Sequence, residues 1–175
     1  MTRRASAVTA VVALAMAGLG PAHAQSTADG IAQYRALLAD GNPADLWEAK
    51  GEALWKQKRG PKNASFEACD LGKGPGVVTG AFVELPRYFA DTKRVQDLES
   101  RLLTCMEAQG FNAAEIAATP FGRGEQINLE ALVTYVSAES KGMKFNLPQA
   151  HPDERKMFEV GKRIFFFRGG PYDFS

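Results

Sequence analysis

Two stretches of the chain repeat one pattern, and this repeat constrains the fold more than any other feature. Residues 51–61 read GEALWKQKRGP and residues 161–171 read GKRIFFFRGGP. Each begins with glycine, has an aliphatic residue three positions later and an aromatic residue four positions later, and ends with Gly-Pro, the proline ten positions after the first glycine. Gly-Pro after a helix is common punctuation, but this many matching positions favour a duplicated unit. We therefore expect one complete domain followed by the truncated start of a second, of which only the first helix is present.

The first 24 residues have the three parts of a secretory signal peptide. Arg3 and Arg4 give a positive start, residues 7–19 form an apolar run, and residues 22–24 read Ala-His-Ala, a small-x-small cleavage pattern. The apolar run is shorter than the roughly 20 residues of a membrane span, although a short membrane anchor is the alternative. We expect residues 1–24 to be removed on export to the periplasm, so that the mature protein begins near Gln25.

The composition is that of a globular protein and argues against two classes of partner. Of the 175 residues, 45% are hydrophobic and 23% are charged, and the formal net charge is +1. A nucleic-acid-binding protein would need a basic patch or a strongly basic balance. No apolar stretch after the signal peptide is long enough to cross a bilayer. We expect neither nucleic acid nor a membrane as a partner.

Two cysteines, Cys69 and Cys105, remain in the mature chain. In an oxidising compartment an even number of cysteines favours a disulfide. Closing the 36-residue separation would stabilise the fold by about 4 kcal/mol on the chain-entropy model. A reactive thiol and a metal-ligand pair are alternatives, disfavoured because His23 leaves with the signal peptide and His151 follows a loop. Cys105 also suits an inert cysteine on the buried face of a helix.

Helical periodicity predicts five amphipathic segments and hence an all-α fold. Asn42 and Pro43 indicate the start of the second segment. Asp91 or Thr92 is expected to cap the third, which ends at Gly110. The predicted core residues of the second, third and fourth segments are Leu46, Trp47, Leu54 and Trp55; Val95, Leu98, Leu102 and Cys105; and Leu129, Leu132, Val133 and Val136. The first segment has Ile31, Tyr34, Leu37 and Leu38 on one face, and the fifth carries Met157, Val160, Ile164 and Phe167.

Between the second and third segments, residues 61–86 are rich in glycine and proline and have no sustained period. This stretch predicts a long loop, with a short extended piece at residues 77–83. Its GKGPG sequence, residues 72–76, suggests a phosphate-binding loop, but the Walker spacing and the following Ser or Thr are missing. A turn-rich segment wrapped around the core is the favoured interpretation.

Several longer stretches resemble the SoxA family, the cytochrome subunits of periplasmic L-cysteine S-thiosulfotransferases. They are RGPKNAS, LPRYFADT and VQDLESRL, together with TYVSAESKGM and RGGPYDFS further along, so that the resemblance covers nearly the whole mature chain. Members carry two cytochrome c-like domains in tandem. The resemblance therefore implies a cytochrome c-like domain lacking haem at residues 25–150, followed at residues 151–175 by the first helix of a second, truncated one.

The resemblance also limits which residues can carry chemistry. Cys69 is followed by DLGK, whereas attachment of haem c needs C-x-x-C-H. By resemblance Cys69 and Cys105 form a structural disulfide left where some members bind haem. The haem c and the sulfur-accepting cysteine of the full-length protein belong to the second domain, beyond these residues. We carry over no catalytic, haem-binding or metal-binding residue.

For the full-length protein, the resemblance implies a transferase that joins thiosulfate oxidatively to a cysteine of a carrier protein, SoxYZ. Its haem would serve electron transfer, and its partner would be the small cytochrome subunit SoxX. The alternative is a non-catalytic periplasmic binding or docking module with a vestigial cytochrome c fold. In that case the phenylalanines at residues 165–167 would be buried against the first domain or a partner.

Overall fold

The computed structural model describes residues 26–39 and 41–167 of the chain. The predicted signal peptide, residues 1–24, lies outside the described residues, and so does RGGPYDFS, residues 168–175. The chain divides into two compact units, Met1–Asn42 and Pro43–Ser175. None of the described helices has the length and apolar character needed to cross a membrane.

In the first unit the described residues form one helix, α1 (Thr27–Ala39). Ser26 precedes it, and its Oγ accepts a hydrogen bond from the backbone N of Asp29 at 3.1 Å, as an N-terminal cap does. The periodicity therefore predicted a helix here correctly. The apolar residues of its predicted face, Ile31 and Leu37 among them, are exposed.

The described residues of the second unit contain five α-helices, two short 3-10 helices and one small hairpin. In chain order the α-helices and strands are α2 (Pro43–Lys56), β1 (Arg87–Phe89), β2 (Arg94–Gln96), α3 (Leu98–Ala108), α4 (Ala113–Ala118), α5 (Gln126–Ala138) and α6 (Pro152–Phe165). Strands β1 and β2 pair antiparallel, with Tyr88 opposite Val95. The fold is mostly helical, and the hairpin and α4 are elements that the helical pattern did not predict.

The core of this unit is organised around the crossing of α2 and α5. A Cβ atom built on Gly51 would lie 2.0 Å from the backbone O of Ala131, so only glycine permits this approach. One turn later Trp55, 3% exposed, packs its ring against those of Phe66 and Tyr135, with centroids 5.6 and 6.2 Å away. Burying an aromatic side chain of this size is a large stabilising contribution.

Leu46 was predicted in the core of α2, and this was wrong, because it is 77% exposed. Trp55 follows Leu46 by nine positions. This is two and a half helical turns, so the two side chains lie on opposite faces of the helix. Trp47 and Leu54 are half-buried. The buried face passes through Gly51 and Trp55, and the sequence pattern alone did not distinguish it from its neighbour.

Helix α3 begins later than predicted. Its cap is Asp97, whose Oδ1 accepts a hydrogen bond from the backbone N of Ser100 at 2.9 Å, in place of Asp91 or Thr92. Residues 91–96 form the turn and second strand of the hairpin. Val95 has helical spacing to Leu98, but a β-branched residue also suits a strand, and pairing with Tyr88 decides between the two.

The expected extended piece at residues 77–83 is also absent. A 3-10 helix, Phe82–Glu84, begins at the end of this stretch. A second 3-10 helix, Phe66–Ala68, lies near the start of the longer loop, residues 61–86. Gly76 and Gly80 have φ angles of 75° and 72°, a conformation that glycine adopts readily and that turns the chain. These turns prevent an extended run from persisting and wrap the segment around the core.

Candidate functional site

The Cys69–Cys105 disulfide joins the glycine- and proline-rich loop, residues 61–86, to helix α3. The two cysteines are 36 residues apart in sequence, and their Cα atoms are 5.7 Å apart. Cys69 follows the Phe66–Ala68 turn, and its backbone N donates a hydrogen bond to Phe66 O at 2.8 Å. Cys105 lies in the last turn of α3. The two residues are 6% and 8% exposed, so they are nearly buried but not sealed from solvent. The structure thus brings together the one residue pair that the sequence singled out.

The GKGPG loop, residues 72–76, folds around the carboxylate of Asp70, which lies two residues before it. Asp70 Oδ1 accepts hydrogen bonds from the backbone N of Gly72 at 2.6 Å and of Gly74 at 2.9 Å. Gly76 N donates to Cys69 O at 3.0 Å. The amide groups that would cradle a phosphate are therefore engaged within the loop, in agreement with the turn-rich interpretation.

A buried arginine, Arg101, lies beside the disulfide. Its Nε donates to the backbone O of Asp70 at 2.7 Å, and its guanidinium makes a two-oxygen contact with Asp91 at 2.8 and 3.0 Å. The group also lies over the ring of Phe89, 4.0 Å from the centroid. Burial raises the pKa of Asp91, but the hydrogen bonds and charge of Arg101 lower it by more, so this pKa lies below its ordinary value of 3.8.

This ion pair was not predicted from the sequence. A signal was present. Arg101 lies three residues after Leu98 and one before Leu102, in the buried stripe that ends at Cys105. A cation inside an apolar stripe needs a partner, since unpaired buried charge is costly, and that requirement points to a nearby carboxylate such as Asp91.

These residues surround an open cavity of about 630 Å³. The volume falls within the range of small-molecule sites. Both half-cystines contribute to its wall, together with one arginine of β1 and one of α3. Its lining includes Cys69, Cys105, Arg87, Arg101, Tyr88 and Asp91. It is the candidate functional site of this unit.

Helix α6 is tied to the hairpin by a buried carboxylate. Glu154 Oε1 accepts a hydrogen bond from the backbone N of Tyr88 at 2.8 Å, and Oε2 accepts one from the backbone N of His151 at 2.9 Å. The His151 ring stacks on Tyr88 with centroids 3.6 Å apart, and its Nδ1 accepts from Asp153 N. Burial raises the pKa of Glu154, but these backbone donors and the charge of Arg87 lower it by more, so this pKa lies below its ordinary value of 4.5.

Beyond this attachment α6 is largely uncovered. A Cβ atom built on Gly161 meets nothing within 4 Å. Phe165 is 77% exposed, and Phe166 and Phe167 are exposed as well. An apolar groove of about 570 Å³ runs along the helix, lined by Pro86, Val95, Leu147, Met157, Phe158 and Ile164 among others. Of the apolar residues that the sequence placed in this segment, Met157, Ile164 and Phe167 are exposed and Val160 is half-buried.

Residues 50–145, more than half of the chain, match the model of the SoxA/TsdA cytochrome c domain family. The chain belongs to this family. Over its full length it is 45% identical to the L-cysteine S-thiosulfotransferase subunit SoxA of Hydrogenophilus thermoluteolus, covering 66% of that relative. It is 31% identical to SoxA subunits of Hydrogenobacter thermophilus over 76% of its own length, covering 49% of one relative and 48% of another.

The fold of this SoxA/TsdA-family chain also matches a solved structure, that of SoxXA from P. pantotrophus. The TM-score is 0.58 at 24% identity, and the match covers 77% of this chain and 47% of the other. The expected cytochrome c-like, mostly helical fold is confirmed. The chain spans about two thirds of the length of its relative from Hydrogenophilus and about half of those from Hydrogenobacter.

Cytochrome c domains hold haem through two cysteine thioethers and a histidine, and the described residues of this family member do not fit that arrangement. Its two cysteines are bonded to each other. His151 is occupied in capping α6 and stacking on Tyr88. Among the described residues no group of three His, Cys, Asp or Glu side chains is placed to hold a metal ion. We therefore assign no haem or metal ligand in residues 26–39 and 41–167.

Proposed function

We propose that this chain is the N-terminal, haem-free part of a SoxA-type subunit of an L-cysteine S-thiosulfotransferase. The observation that carries the proposal is the 45% identity to such a subunit along the whole chain. In this proposal residues 1–24 direct export to the periplasm, and the enzyme joins thiosulfate oxidatively to a cysteine of a carrier protein, SoxYZ.

The second part of the proposal concerns α6, which we assign as the first helix of a second cytochrome c-like domain beginning at residue 151. Its glycine, aliphatic and aromatic residues repeat the pattern of α2. In α2 these residues pack against α5, whereas Ile164 and Phe165 of α6 are exposed. A haem c held by that further domain would supply electron transfer.

Within such an enzyme the residues around α6 would position the second domain. Glu154 and His151 fix the point at which α6 leaves the first domain, through hydrogen bonds to the hairpin and the helix start. The direction of α6 would in turn set where the second domain lies. SoxX is the proposed partner, supported by the SoxXA complex named in the structural match.

The direct test is to express the longest reading frame that contains this chain together with a SoxX-type cytochrome. The purified complex is given thiosulfate, a carrier protein with one accessible cysteine and an electron acceptor. We expect the carrier to gain one thiosulfate group by mass spectrometry and the complex to show a haem absorption band. A complex that forms but leaves the carrier unmodified would contradict the assigned reaction.

Export is tested separately, because it does not depend on the reaction. Replacing Arg3 and Arg4 with Glu removes the positive start of the signal, so the protein should remain in the cytoplasm with its leader attached. Cell fractionation and N-terminal sequencing provide the measurement. An unchanged periplasmic fraction would argue against residues 1–24 as the signal.

The exposed apolar face of α6 is also the observation that favours the alternative, a non-catalytic periplasmic docking module. The two functions differ in what covers Phe165, Phe166 and Phe167. A docking module would bind a partner through these side chains without haem in its own polypeptide. Binding of SoxX by the 175-residue chain alone, lost in the Phe165→Ser variant, together with no thiosulfate transfer by any longer product, would support that alternative.

A further inference from the structure

The wall of the 630 Å³ cavity contains a bond that can react. Cys69 and Cys105 both line it, and both keep a small exposed fraction. Disulfides exchange with thiolates only where an attacking sulfur can reach them. An open cavity against the bond therefore provides what most buried structural disulfides lack, which is a route for a small thiol while the protein stays folded.

The charged groups that face the cavity are two guanidiniums and two carboxylates. The carboxylate of Asp91 is held by Arg101, and that of Asp70 accepts two backbone N–H groups. Arg87 donates to Gly72 O at 2.6 Å and lines the same cavity. Arg87 also pairs with Glu84 at 3.5 Å. All four charged groups are thus engaged, and the wall carries no net formal charge that would repel an incoming thiolate.

The two sulfur atoms have different surroundings, which predicts the direction of exchange. Cys105 is in the last turn of α3, where the negative end of the helix dipole disfavours a thiolate. Cys69 lies in the loop outside any α-helix, so this effect does not act on it. The sulfur of Cys69 is therefore the better leaving group.

We propose that this cavity is a site of thiol–disulfide exchange with low-molecular-weight thiols. The incoming thiolate forms a new S–S bond to Cys105 Sγ as the Cys69–Cys105 bond breaks. The bonding electron pair leaves with Cys69 as a thiolate, which takes a proton from water. One disulfide replaces another, so no external oxidant or reductant is needed. The inference does not depend on the proposed transferase function.

The test uses the full chain and reduced glutathione as the probe. Native protein is incubated with glutathione, free thiols are blocked with iodoacetamide, and the products are identified by intact mass and peptide mapping. We expect a single glutathionyl group on Cys105 and a blocked thiol on Cys69. An adduct found on Cys69 would overturn the proposed direction of exchange.

Repeating the reaction in increasing urea separates reaction through the cavity from reaction through unfolding. Exchange in the folded protein should change little with urea below the unfolding transition. Exchange that requires global unfolding would instead accelerate with the full slope of the unfolding equilibrium. The second result would overturn the proposal.

A matched pair of substitutions locates the route. Ala108 is exposed and lines the cavity, whereas Ala117 is exposed on α4 and does not. Ala108→Trp should lower the rate of glutathione addition about tenfold because it obstructs access to the bond, and Ala117→Trp should leave it within about twofold. Equal rates for the two variants would show that the thiol does not enter by this cavity.

Discussion

Helices α2 and α6 share a short sequence pattern and have opposite environments. Both are 14 residues long with proline at the first position, and both continue from a glycine to an aliphatic and then an aromatic residue. Trp55 of α2 is 3% exposed, and its counterpart Phe165 in α6 is 77% exposed. The pattern is sufficient to form a helix in both places. Burial depends on a second helix, α5, which approaches Gly51 and has no counterpart at Gly161 among the described residues.

The largest difference should appear when the two aromatic residues are truncated. Trp55→Ala removes a buried ring from the core and should lower the free energy of unfolding by about 4 kcal/mol. Phe165→Ala changes an exposed side chain and should alter it by less than about 0.5 kcal/mol. Urea unfolding followed by circular dichroism measures both. Trp55→Phe keeps most of the buried ring and serves as the control if the alanine variant does not fold.

The next largest effect should come from Gly51→Ala. The added methyl group would meet Ala131 O at 2.0 Å and Tyr135 Cβ at 2.6 Å. Helices α2 and α5 must therefore move apart, which should lower the free energy of unfolding by about 2–3 kcal/mol. The same urea titration checks it. A neutral result would mean that the close approach of the two helices does not exist in solution.

A smaller effect is expected at the attachment of α6. In Glu154→Gln one side-chain oxygen becomes an NH₂ group, which cannot accept a backbone N–H bond, so α6 should loosen by about 1–3 kcal/mol. Hydrogen exchange of α6 amides relative to α2 amides measures this. Glu159→Gln is the matched control, because Glu159 is exposed on the same helix.

The same carboxylate predicts a pH dependence. The pKa of Glu154 is lowered in the folded protein, below its ordinary value of 4.5. Its contribution is therefore fully present above that ordinary value and is lost as the pH falls through the lower, folded pKa. Protection of α6 amides should decrease in that acid range in the native chain. In Glu154→Gln this decrease should be much reduced, and an unchanged profile would exclude Glu154 as its origin.

The smallest effect should be that of Gly161→Ala. Nothing lies within 4 Å of the added methyl group, and alanine is the better helix former, so this chain should gain up to about 1 kcal/mol of helix stability. If a longer protein covers α6 as α5 covers α2, the same substitution should destabilise that protein. Thermal unfolding of Gly161→Ala is measured in the 175-residue chain and in the longer protein. Stabilisation of both proteins would mean that no helix crosses at Gly161.

Much of the fold could be predicted from sequence because helical periodicity and caps are local. The pattern placed α2, α5 and α6 correctly, and Pro43 and Pro152 lie at the first positions of their helices. The hairpin was missed because Val95 satisfies a helical and a strand pattern equally. Only its pairing with Tyr88, seven residues earlier, and the cap at Asp97 resolve the choice.

At the candidate site, the sequence predicted the disulfide but not the ion pair and the cavity beside it. Two cysteines in a chain expected to be exported specify which residues pair, whatever the geometry. The Arg101–Asp91 pair depends on how the hairpin folds back on α3, and the cavity beside the disulfide depends on how the loop of residues 61–86 does so. No sequence period encodes that contact, because its two partners belong to different elements.

The sequence by itself determined where most helices form, which residues could make a disulfide, and that α2 and α6 repeat one pattern. Tertiary structure alone decided that the first copy is core and the second is surface. The physical reason is that the free energy of burying an apolar side chain comes from a partner surface, and a partner is supplied by distant residues. Gly51 has Ala131 against it, and Gly161 has nothing within 4 Å.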